Sequence, residues 1–250
     1  MTFEDIKKKK VLVTGASSGI GASIIQLFAS YGAFVGIHYR NNKKNATRLR
    51  DCILKQGGKA EIFKGDLLDS SFRKKLIPSF VKVFKGLDIL INNAGGIYGF
   101  KDFLKLDEKA WDDTFTLNVK AAFFLAKDAF CYMKGHGGGR IISISSISAK
   151  YGGSPRSLHY GAAKAALETA SRGLAHTGAQ YNILVNSIRG GFIDTSFHKK
   201  ICRKNISERI NLIPLKRAGE PIDIARMALF LASRAGDYIT GETFTIAGGD

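Results

Sequence analysis

The sequence predicts a single α/β domain, residues 1–250, built on a doubly wound parallel sheet of about seven strands with helices on both faces. Short apolar runs alternate with helical patterns along the whole chain. Several runs, such as residues 88–91, are apolar nearly throughout, as in strands buried on both faces. No Pro- or Ser-rich linker divides the chain. Parallel strands joined by helices need right-handed crossovers, so one continuous sheet is expected.

The N-terminal half begins with a β-branched apolar run at 11–13, which predicts the first strand. The first helix is expected at 20–31, where Ile20, Ile24 and Leu27 have helical spacing. The elements that follow are a strand at 34–38, a helix at 45–56 that stops at a Gly pair, a strand at 60–63, a helix at 69–84 and a strand at 87–91.

The C-terminal half continues this alternation. A long helical pattern at 107–133 ends in a glycine cluster. The later elements are a strand at 140–145, an alanine-rich helix at 158–178, a strand at 183–187, a helix at 221–231 that begins with Pro221, and a strand at 243–246. The most irregular stretch, at about 190–215, is expected to be a flexible flap over a substrate site.

The net charge is strongly positive, since 38 Lys and Arg against 21 Asp and Glu give +17. Such a charge permits nucleic-acid binding, with an affinity that falls steeply as salt rises. The basic residues are spread along the chain, however, and no aromatic side chains are interleaved with them to stack on bases. Solvated lysine-rich faces are the favoured interpretation, and no nucleic-acid partner is expected.

Other sequence features concern location and metals. No apolar stretch approaches the roughly 20 residues of a membrane span, so no membrane partner is expected. Residues 1–10 put acids first and lack the apolar region of a signal peptide. Cys52, Cys131 and Cys202 are far apart and form no C-x-x-C pair, so neither a metal site nor a disulfide framework is predicted. A reducing, cytoplasmic location is expected.

A glycine-rich turn follows the first predicted strand and opens the first helix. Residues 14–21 are Thr-Gly-Ala-Ser-Ser-Gly-Ile-Gly. The glycines let the backbone turn sharply and approach a pyrophosphate, to which the helix N-terminus presents free N–H groups. In this strand–turn–helix context the turn predicts a dinucleotide site. The expected cofactor contacts are Gly15, Ser17, Ser18, Gly19, Ile20 and Gly21.

The spacing G-x-x-x-G-x-G resembles the glycine motif of the short-chain dehydrogenase/reductases, and further motifs of that family follow in order. They are Asp66 after the third strand, Asn92-Asn93-Ala94-Gly95 after the fourth, Asn118 in the long helix, Ser146 after the fifth strand, Tyr160-x-x-x-Lys164, and Arg217-x-Gly219-x-Pro221-x-Asp223. The resemblance covers nearly the whole chain and implies a Rossmann fold. It also implies cofactor contacts from Asp66, which would bond the adenine, and from Leu67, Asn93, Ala94, Gly95, Tyr160, Lys164, Ile193 and Thr195.

The end of the second strand indicates which nucleotide binds. An acid there would bond a ribose 2′-OH and repel a 2′-phosphate. Residues 38–43 contain no acid, and Arg40 can form a bidentate, charge-assisted pair with a phosphate. This favours NADP(H) over NAD(H), although solvation of Arg40 and Lys43 is the alternative.

The catalytic group is expected on the helix at 158–178. Tyr160 and Lys164 are four residues apart and share one helical face. The resemblance implies that Tyr160 is the general acid in reduction and the base in oxidation, and that Lys164 binds the nicotinamide ribose and lowers the pKa of Tyr160. It implies that Ser146 bonds the substrate oxygen and that Asn118 holds a water that links Lys164 to solvent. Ser145 is the alternative for the serine role.

Two positions depart from the family pattern. Gly190-Gly191 replaces the usual Pro-Gly, which loosens the backbone beside the nicotinamide. Ala247 replaces the usual Asp and can alter a subunit contact. The catalytic residues are untouched, so an active enzyme is expected.

These features together predict an NADPH-dependent carbonyl reductase acting on a 3-oxoacyl thioester of a carrier protein or coenzyme A, or on a similar ketone. The pattern is similar to that of 3-oxoacyl-carrier-protein reductases, although the basic residues with which those enzymes dock their carrier are replaced here by Gly137-Gly138 and Tyr181. Lys199, Lys200, Arg203 and Lys204 in the flap offer another way to steer an anionic carrier.

Two alternatives stay open for the function. One is an NAD(P)-dependent alcohol or sugar dehydrogenase, and the other is a nucleotide-binding regulatory protein without turnover. The intact Ser146, Tyr160 and Lys164 argue against the second. The resemblance also implies a homotetramer or a homodimer, with Phe123, Phe124 and Phe130 of the long helix at the contact or in the core.

Overall fold

The computed structural model describes residues 3–196 and 206–250, which contain a seven-stranded sheet. Its strands are β1 (Lys10–Val13), β2 (Phe34–Tyr39), β3 (Lys59–Lys64), β4 (Ile89–Asn92), β5 (Gly139–Ser146), β6 (Ile183–Gly190) and β7 (Thr243–Ile246). They pair in parallel in the order β3-β2-β1-β4-β5-β6-β7, which confirms the predicted doubly wound sheet. The strand order reverses between β1 and β4, and ligands bind to such sheets outside the carboxyl ends of the strands at that point.

Helices cover both faces of the sheet. They are α1 (Gly19–Ser30), α2 (Lys43–Lys55), α3 (Ser70–Phe84), α4 (Glu108–Phe115), α5 (Ala121–Lys134), α6 (Ser148–Tyr151), α7 (Leu158–Gly178), α8 (Ile206–Asn211) and α9 (Pro221–Ala232). α1 packs on α9 in one layer, and α3 and α7 pack beside α5 in the other. The central strands face both layers, since Val11 and Val13 lie in one apolar core and Leu12 lies in the other.

The structure differs from the sequence expectations at several places. The helical pattern at 107–133 is two helices, α4 and α5, joined by a π-helical turn at Thr116–Lys120. A π turn adds one residue to the helix without interrupting the apolar pattern, so the sequence did not reveal it. The strand expected from 87 begins at Ile89, and the short helix α6 was not predicted.

The expected flap at 190–215 is only partly described, because residues 197–205 lie outside the described ranges. Before this gap Ile193 forms an isolated parallel bridge with Gly219, and after it comes α8. The flap cations Lys199, Lys200, Arg203 and Lys204 all fall among the residues that are not described.

Candidate active site

A cleft of about 750 Å³ opens at the carboxyl ends of the strands. Sixteen predicted site residues line it: Gly15, Ser17, Ser18, Gly19, Ile20, Arg40, Asp66, Leu67, Asn93, Ala94, Gly95, Ser146, Tyr160, Lys164, Ile193 and Thr195. Gly21 and Asn118 lie behind its wall, in contact with lining residues. Residues far apart in sequence meet here because parallel strands all deliver their carboxyl ends to one edge of the sheet.

The glycine turn after β1 is held by Asn93, which follows β4. Asn93 Nδ2 donates hydrogen bonds to the carbonyl oxygens of Thr14 (2.8 Å) and Gly15 (3.1 Å). The Thr14 hydroxyl accepts the backbone N–H groups of Asn93 and Ala94, each at 3.0 Å. A Cβ on Gly15, whose φ is +62°, would lie 2.9 Å from Ala94 Cα. The turn is therefore a rigid backbone groove that admits no side chain at Gly15, as close approach by a pyrophosphate requires.

His38, at the end of β2, gives the turn a second support that the sequence analysis missed. Its Nδ1 accepts the Gly15 N–H (3.1 Å), so its proton is on Nε2, which donates to the Gly65 carbonyl oxygen (3.1 Å). The ring is 2% exposed and stacks on Phe72. Burial lowers the pKa of His38 to about 4, against the smaller raising effects of the Gly65 bond and the Asp66 charge. A neutral His38 thus ties the turn after β1 to the turn after β3.

Arg40 and Asp66 lie at the edge of the cleft below β2 and β3. Arg40 Nη1 donates to the Tyr98 hydroxyl (2.8 Å) and lies 3.6 Å from Asp66 Oδ2. Asp66 Oδ1 also accepts the Leu68 N–H at 2.9 Å. Both charged side chains are nearly half exposed, so their attraction is screened by solvent. Arg40 can therefore exchange these contacts for a phosphate that enters the cleft.

The catalytic candidates meet where α7 packs on the end of β5. Lys164 Nζ donates to the Ile144 carbonyl oxygen at 2.7 Å and lies 5.7 Å from the centre of the Tyr160 ring. The hydroxyls of Ser146 and Tyr160 are hydrogen-bonded to each other. Ser146 Oγ also accepts the Ser148 N–H at 3.2 Å. A carbonyl oxygen placed between the two hydroxyls would thus have two hydrogen-bond donors.

The electrostatics of this group differ from the expectation. Burial raises the pKa of Tyr160 to about 12, and the bond with Ser146 opposes this only in part. Burial also lowers the pKa of Lys164 to about 8, although the carboxylate of Glu168 works in the other direction. Burial therefore outweighs any lowering of the Tyr160 pKa by Lys164 in this arrangement of the site, and that lowering stays a prediction. At neutral pH Tyr160 is protonated and can donate a proton.

Asn118 lies in the π-helical turn and is 1% exposed. Its Nδ2 donates to the carbonyl oxygens of Gly96 (2.7 Å) and Thr114 (2.8 Å), and its Oδ1 accepts the Gly96 N–H. A Cβ on Gly95 would lie 2.8 Å from Asn118 Oδ1 and 3.1 Å from Lys164 Nζ. Asn118 therefore lies next to Lys164, and its hydrogen bonds to Gly96 hold the segment that follows β4.

Ser145, the alternative to Ser146, points away from the catalytic pair. Its hydroxyl donates to Glu168 Oε1 at 2.5 Å, and Glu168 is also held by Arg189. This buried group was missed by the sequence analysis because a Ser, a Glu and an Arg at unrelated spacings form no recognisable motif. The structure therefore brings Ser146, and not Ser145, to Tyr160.

The structure does not explain the Gly that replaces Pro at position 190, whereas Ala247 lies in close contact with Gly191. A Cβ on Gly190 would meet only ordinary contacts, such as Ile224 Cδ1 at 3.5 Å, so a side chain would fit there. A Cβ on Gly191 would lie 2.7 Å from Ala247 Cα, so the end of β6 closely approaches the residue after β7. Ile193 and Thr195, the expected carboxamide contacts, follow on the cleft wall, where Thr195 Cγ2 would lie 3.3 Å from a Cβ on Gly19.

The cleft fits a nicotinamide dinucleotide. The glycine groove could hold a pyrophosphate at the N-terminus of α1, and Lys164 and Tyr160 lie in the same cleft. In the described part of the chain, no group of three or more His, Cys, Asp and Glu side chains could hold a metal ion. None of the helices within residues 3–196 and 206–250 is long and apolar enough to cross a membrane.

Comparison with known proteins agrees with the geometry of the cleft. The profile of a family described as Enoyl-(Acyl carrier protein) reductase matches residues 15–249. Elsinochrome reductase 1 of Elsinoe fawcettii is 34% identical over 96% of this chain and 93% of its own length. A 3-oxoacyl-[acyl-carrier-protein] reductase of Chlamydia pneumoniae is also 34% identical, over 96% of both chains.

A solved structure supports the same assignment. A short chain dehydrogenase of Burkholderia cenocepacia in complex with NADP superposes with a TM-score of 0.91 at 30% identity, over 98% of both chains. The match extends over the sheet, the glycine turn and the Tyr160–Lys164 helix alike. The chain therefore belongs to the short-chain dehydrogenase/reductase family of oxidoreductases.

Proposed function

We propose that the protein is an NADPH-dependent carbonyl reductase that converts a 3-oxoacyl thioester of a carrier protein or coenzyme A, or a similar ketone, to the hydroxy product. One observation carries the proposal: the hydrogen-bonded Ser146 and Tyr160, with Lys164 beside them, share one cleft with the glycine groove and Arg40. The similarity to a 3-oxoacyl reductase supports the substrate class.

The bound nicotinamide would supply a hydride to the carbonyl carbon. The chain's own residues manage the carbonyl oxygen. The Ser146 hydroxyl orients that oxygen toward Tyr160, because the two hydroxyls are already within hydrogen-bond distance of each other. Tyr160, with its pKa near 12, holds its proton at neutral pH and donates it to the oxygen as negative charge develops there. The Lys164 ammonium lies near the Tyr160 ring and stabilises the phenolate that is left.

At neutral pH the protonated Tyr160 is the form that carbonyl reduction requires, whereas the alternative of alcohol or sugar oxidation requires the phenolate. Oxidation starts from a Tyr160 phenolate, which burial disfavours. Reduction starts from the phenol, which burial favours. The direction in the proposal therefore agrees with the electrostatics of the cleft as they stand.

The preference for NADPH depends on Arg40. Its guanidinium lies at the cleft edge with a half-exposed Asp66 as its nearest acid, so a 2′-phosphate can replace that weak partner with a charge-assisted pair. Binding of NADP by the Burkholderia relative supports this preference.

A homotetramer or a homodimer is part of the proposal. Trp111 of α4 and Phe123 and Phe124 of α5 are 37–43% exposed, and this apolar surface is of the kind that subunits cover. Light scattering after size-exclusion chromatography measures the subunit number, and a monomer at all concentrations would contradict this part.

The test is NADPH oxidation with a short 3-oxoacyl thioester, run beside NADH and beside Tyr160→Phe. We expect turnover with NADPH that is lost in the variant. No turnover on a wide ketone panel, with NADPH still bound, would overturn the reductase and favour the regulatory alternative. Turnover of other ketones but not of thioesters would overturn the thioester substrate and leave the ketone. Failure to bind either nucleotide would overturn the site itself.

A further inference from the structure

Glu168 is a buried acid on the catalytic face of α7 for which the proposed function gives no role. It lies four residues beyond Lys164 and eight beyond Tyr160, so the three side chains follow one another along one face of the helix. It is 7% exposed, and its Oε1 accepts the Ser145 hydroxyl at 2.5 Å. Three consecutive residues at the end of β5 therefore hold this face of α7, through one carbonyl and two hydroxyls.

Arg189 of β6 neutralises this acid with a two-pronged contact. Its Nη2 lies 2.5 Å from Glu168 Oε2, and its Nε donates to Oε1 at 3.0 Å. Its Nη1 reaches the Thr245 hydroxyl of β7 at 3.2 Å. Arg189 immediately precedes Gly190, the start of the segment expected beside the nicotinamide. One ion pair thus connects α7 to the three C-terminal strands of the sheet.

We propose that Glu168, paired with Arg189, is a positioning residue that fixes the Tyr160–Lys164 face of α7 on β5 and sets the charge beside the Lys164 ammonium. The inference rests on the proposed reduction by Tyr160 and Lys164. A buried carboxylate without its cation would be costly, and a buried ammonium without a nearby carboxylate would lose its proton more readily. In the Glu168–Arg189 pair, the carboxylate lies near Lys164 while Arg189 offsets the cost of burying its charge.

Other charged and titratable groups on the elements packed against α7 have partners of their own or face solvent. Three groups form ion pairs: Lys109 with Asp113 on α4, Lys127 with Asp128 on α5, and Arg140 of β5 with Asp237. His159 of α7 is hydrogen-bonded to the Tyr98 carbonyl oxygen. Lys134 lies over the Tyr181 ring, Lys150 of α6 lies over the exposed Tyr151 ring, and Lys120 of the π turn is exposed. In the described ranges, Glu168 is therefore the group whose charge acts on Lys164, and Arg189 is the partner of that carboxylate.

Removal of Glu168 and removal of Arg189 should shift the pH profile of the reductase activity in opposite directions. Glu168→Gln deletes an anion, so the pKa values of the Tyr160–Lys164 pair fall together, and reductase activity is lost at a lower pH. Arg189→Leu deletes a cation, so the pH at which kcat/KM declines on the alkaline side should instead rise. We expect shifts of about one pH unit each, and a return toward the wild-type profile in the double variant. A purely structural role would lower activity without moving the profile in opposite directions.

The control is Asp237→Asn, which breaks the ion pair with Arg140 at the far end of β5 and should leave the profile in place. If Arg189→Leu does not fold, Glu168→Gln decides by itself, because it preserves the size and most hydrogen bonds of the side chain. An unmoved profile in Glu168→Gln, or a shift to higher pH, overturns the proposal.

A second readout does not require turnover. Phenolate absorbance is titrated in Glu168→Gln and in wild type, each against the same protein with Tyr160→Phe, and the difference reports Tyr160. The inference expects a lower Tyr160 titration midpoint in Glu168→Gln, and an unchanged or higher midpoint overturns it. A wild type that reduces none of the ketones would overturn the proposed function and leave this titration to decide the inference.

Discussion

Gly21 is a helical glycine whose replacement by alanine should damage the nucleotide site. A Cβ at this position would lie 2.5 Å from Asn93 Nδ2, 2.8 Å from the Gly15 carbonyl oxygen and 2.9 Å from Ala16 Cα. Real contacts are nearly an ångström longer than the shortest of these. Two of the three atoms are backbone atoms of the glycine turn, so the turn cannot move aside cheaply. Asn93 must therefore leave its place.

The magnitude follows from the bonds that Asn93 makes. Its Nδ2 donates to Thr14 and Gly15, and each such bond is worth about 1 kcal/mol net. Overpacking costs about 1–3 kcal/mol more, whereas alanine regains about 1 kcal/mol over glycine inside a helix. We expect Gly21→Ala to lose about 2–4 kcal/mol in the free energy of unfolding, and to bind NADPH at least about tenfold more weakly, because the groove is deformed.

Urea unfolding and NADPH titration measure the two effects. The matched control is Gly173→Ala, in the interior of α7, where a Cβ would meet nothing within 4 Å. That variant should gain about 0.5–1 kcal/mol and bind nucleotide as wild type does. If Gly21→Ala were as stable as Gly173→Ala and bound NADPH normally, the Asn93 clamp would not control the turn and the reasoning would be refuted.

Three further predictions concern Arg40, Ser146 and His38. Arg40→Ala should weaken NADPH binding about tenfold and leave NADH binding nearly unchanged, since it removes one solvent-exposed, charge-assisted contact. Arg48→Ala is the matched control, because Arg48 is exposed on α2 and its loss removes the same charge. If Arg40→Ala weakened the binding of both nucleotides equally, the role of Arg40 would be contradicted. Ser146→Ala should lower kcat about 100-fold, as loss of an oxyanion donor does, whereas Ser145→Ala should mainly lower stability. Steady-state kinetics and urea unfolding measure the two effects. If Ser145→Ala lost the activity and Ser146→Ala lost only stability, the roles assigned to the two serines would be wrong. Folding lowers the pKa of His38 from 6.5 to about 4, so the contribution of His38 to stability is complete above pH 6.5 and is lost as the pH falls toward 4. The loss amounts to up to about 3 kcal/mol in the free energy of unfolding. Urea unfolding of His38→Asn should show a weaker dependence on pH than wild type, and an equally steep dependence would refute this role of His38.

Much of this fold and of the cleft can be predicted from the sequence, because the signals are local. Each strand is a short apolar run, and each helix carries its own spacing and stop residue. The glycine turn and the Tyr160–Lys164 spacing are motifs within eight residues, and sixteen predicted residues line one cleft once the parallel strands align.

The π turn and the supporting contacts were not predictable in this way. The π turn at Asn118 leaves the apolar pattern intact, and the choice between Ser145 and Ser146 depends on which hydroxyl faces Tyr160. The protonation of Tyr160 depends on burial, which the residue's neighbours in sequence do not determine.

By itself, the sequence determined the doubly wound sheet, the dinucleotide turn and the identity of the catalytic candidates, since these follow from patterns within single elements. Only the tertiary structure decided that His38 supports the turn, that Asn93 clamps it, and that Glu168 and Arg189 compensate each other beside Lys164. The partners in these contacts are 21 to 79 residues apart. Hydrogen bonds and ion pairs over such distances exist only after the sheet has brought their strands together, because their energy depends on separation and burial rather than on order in the chain.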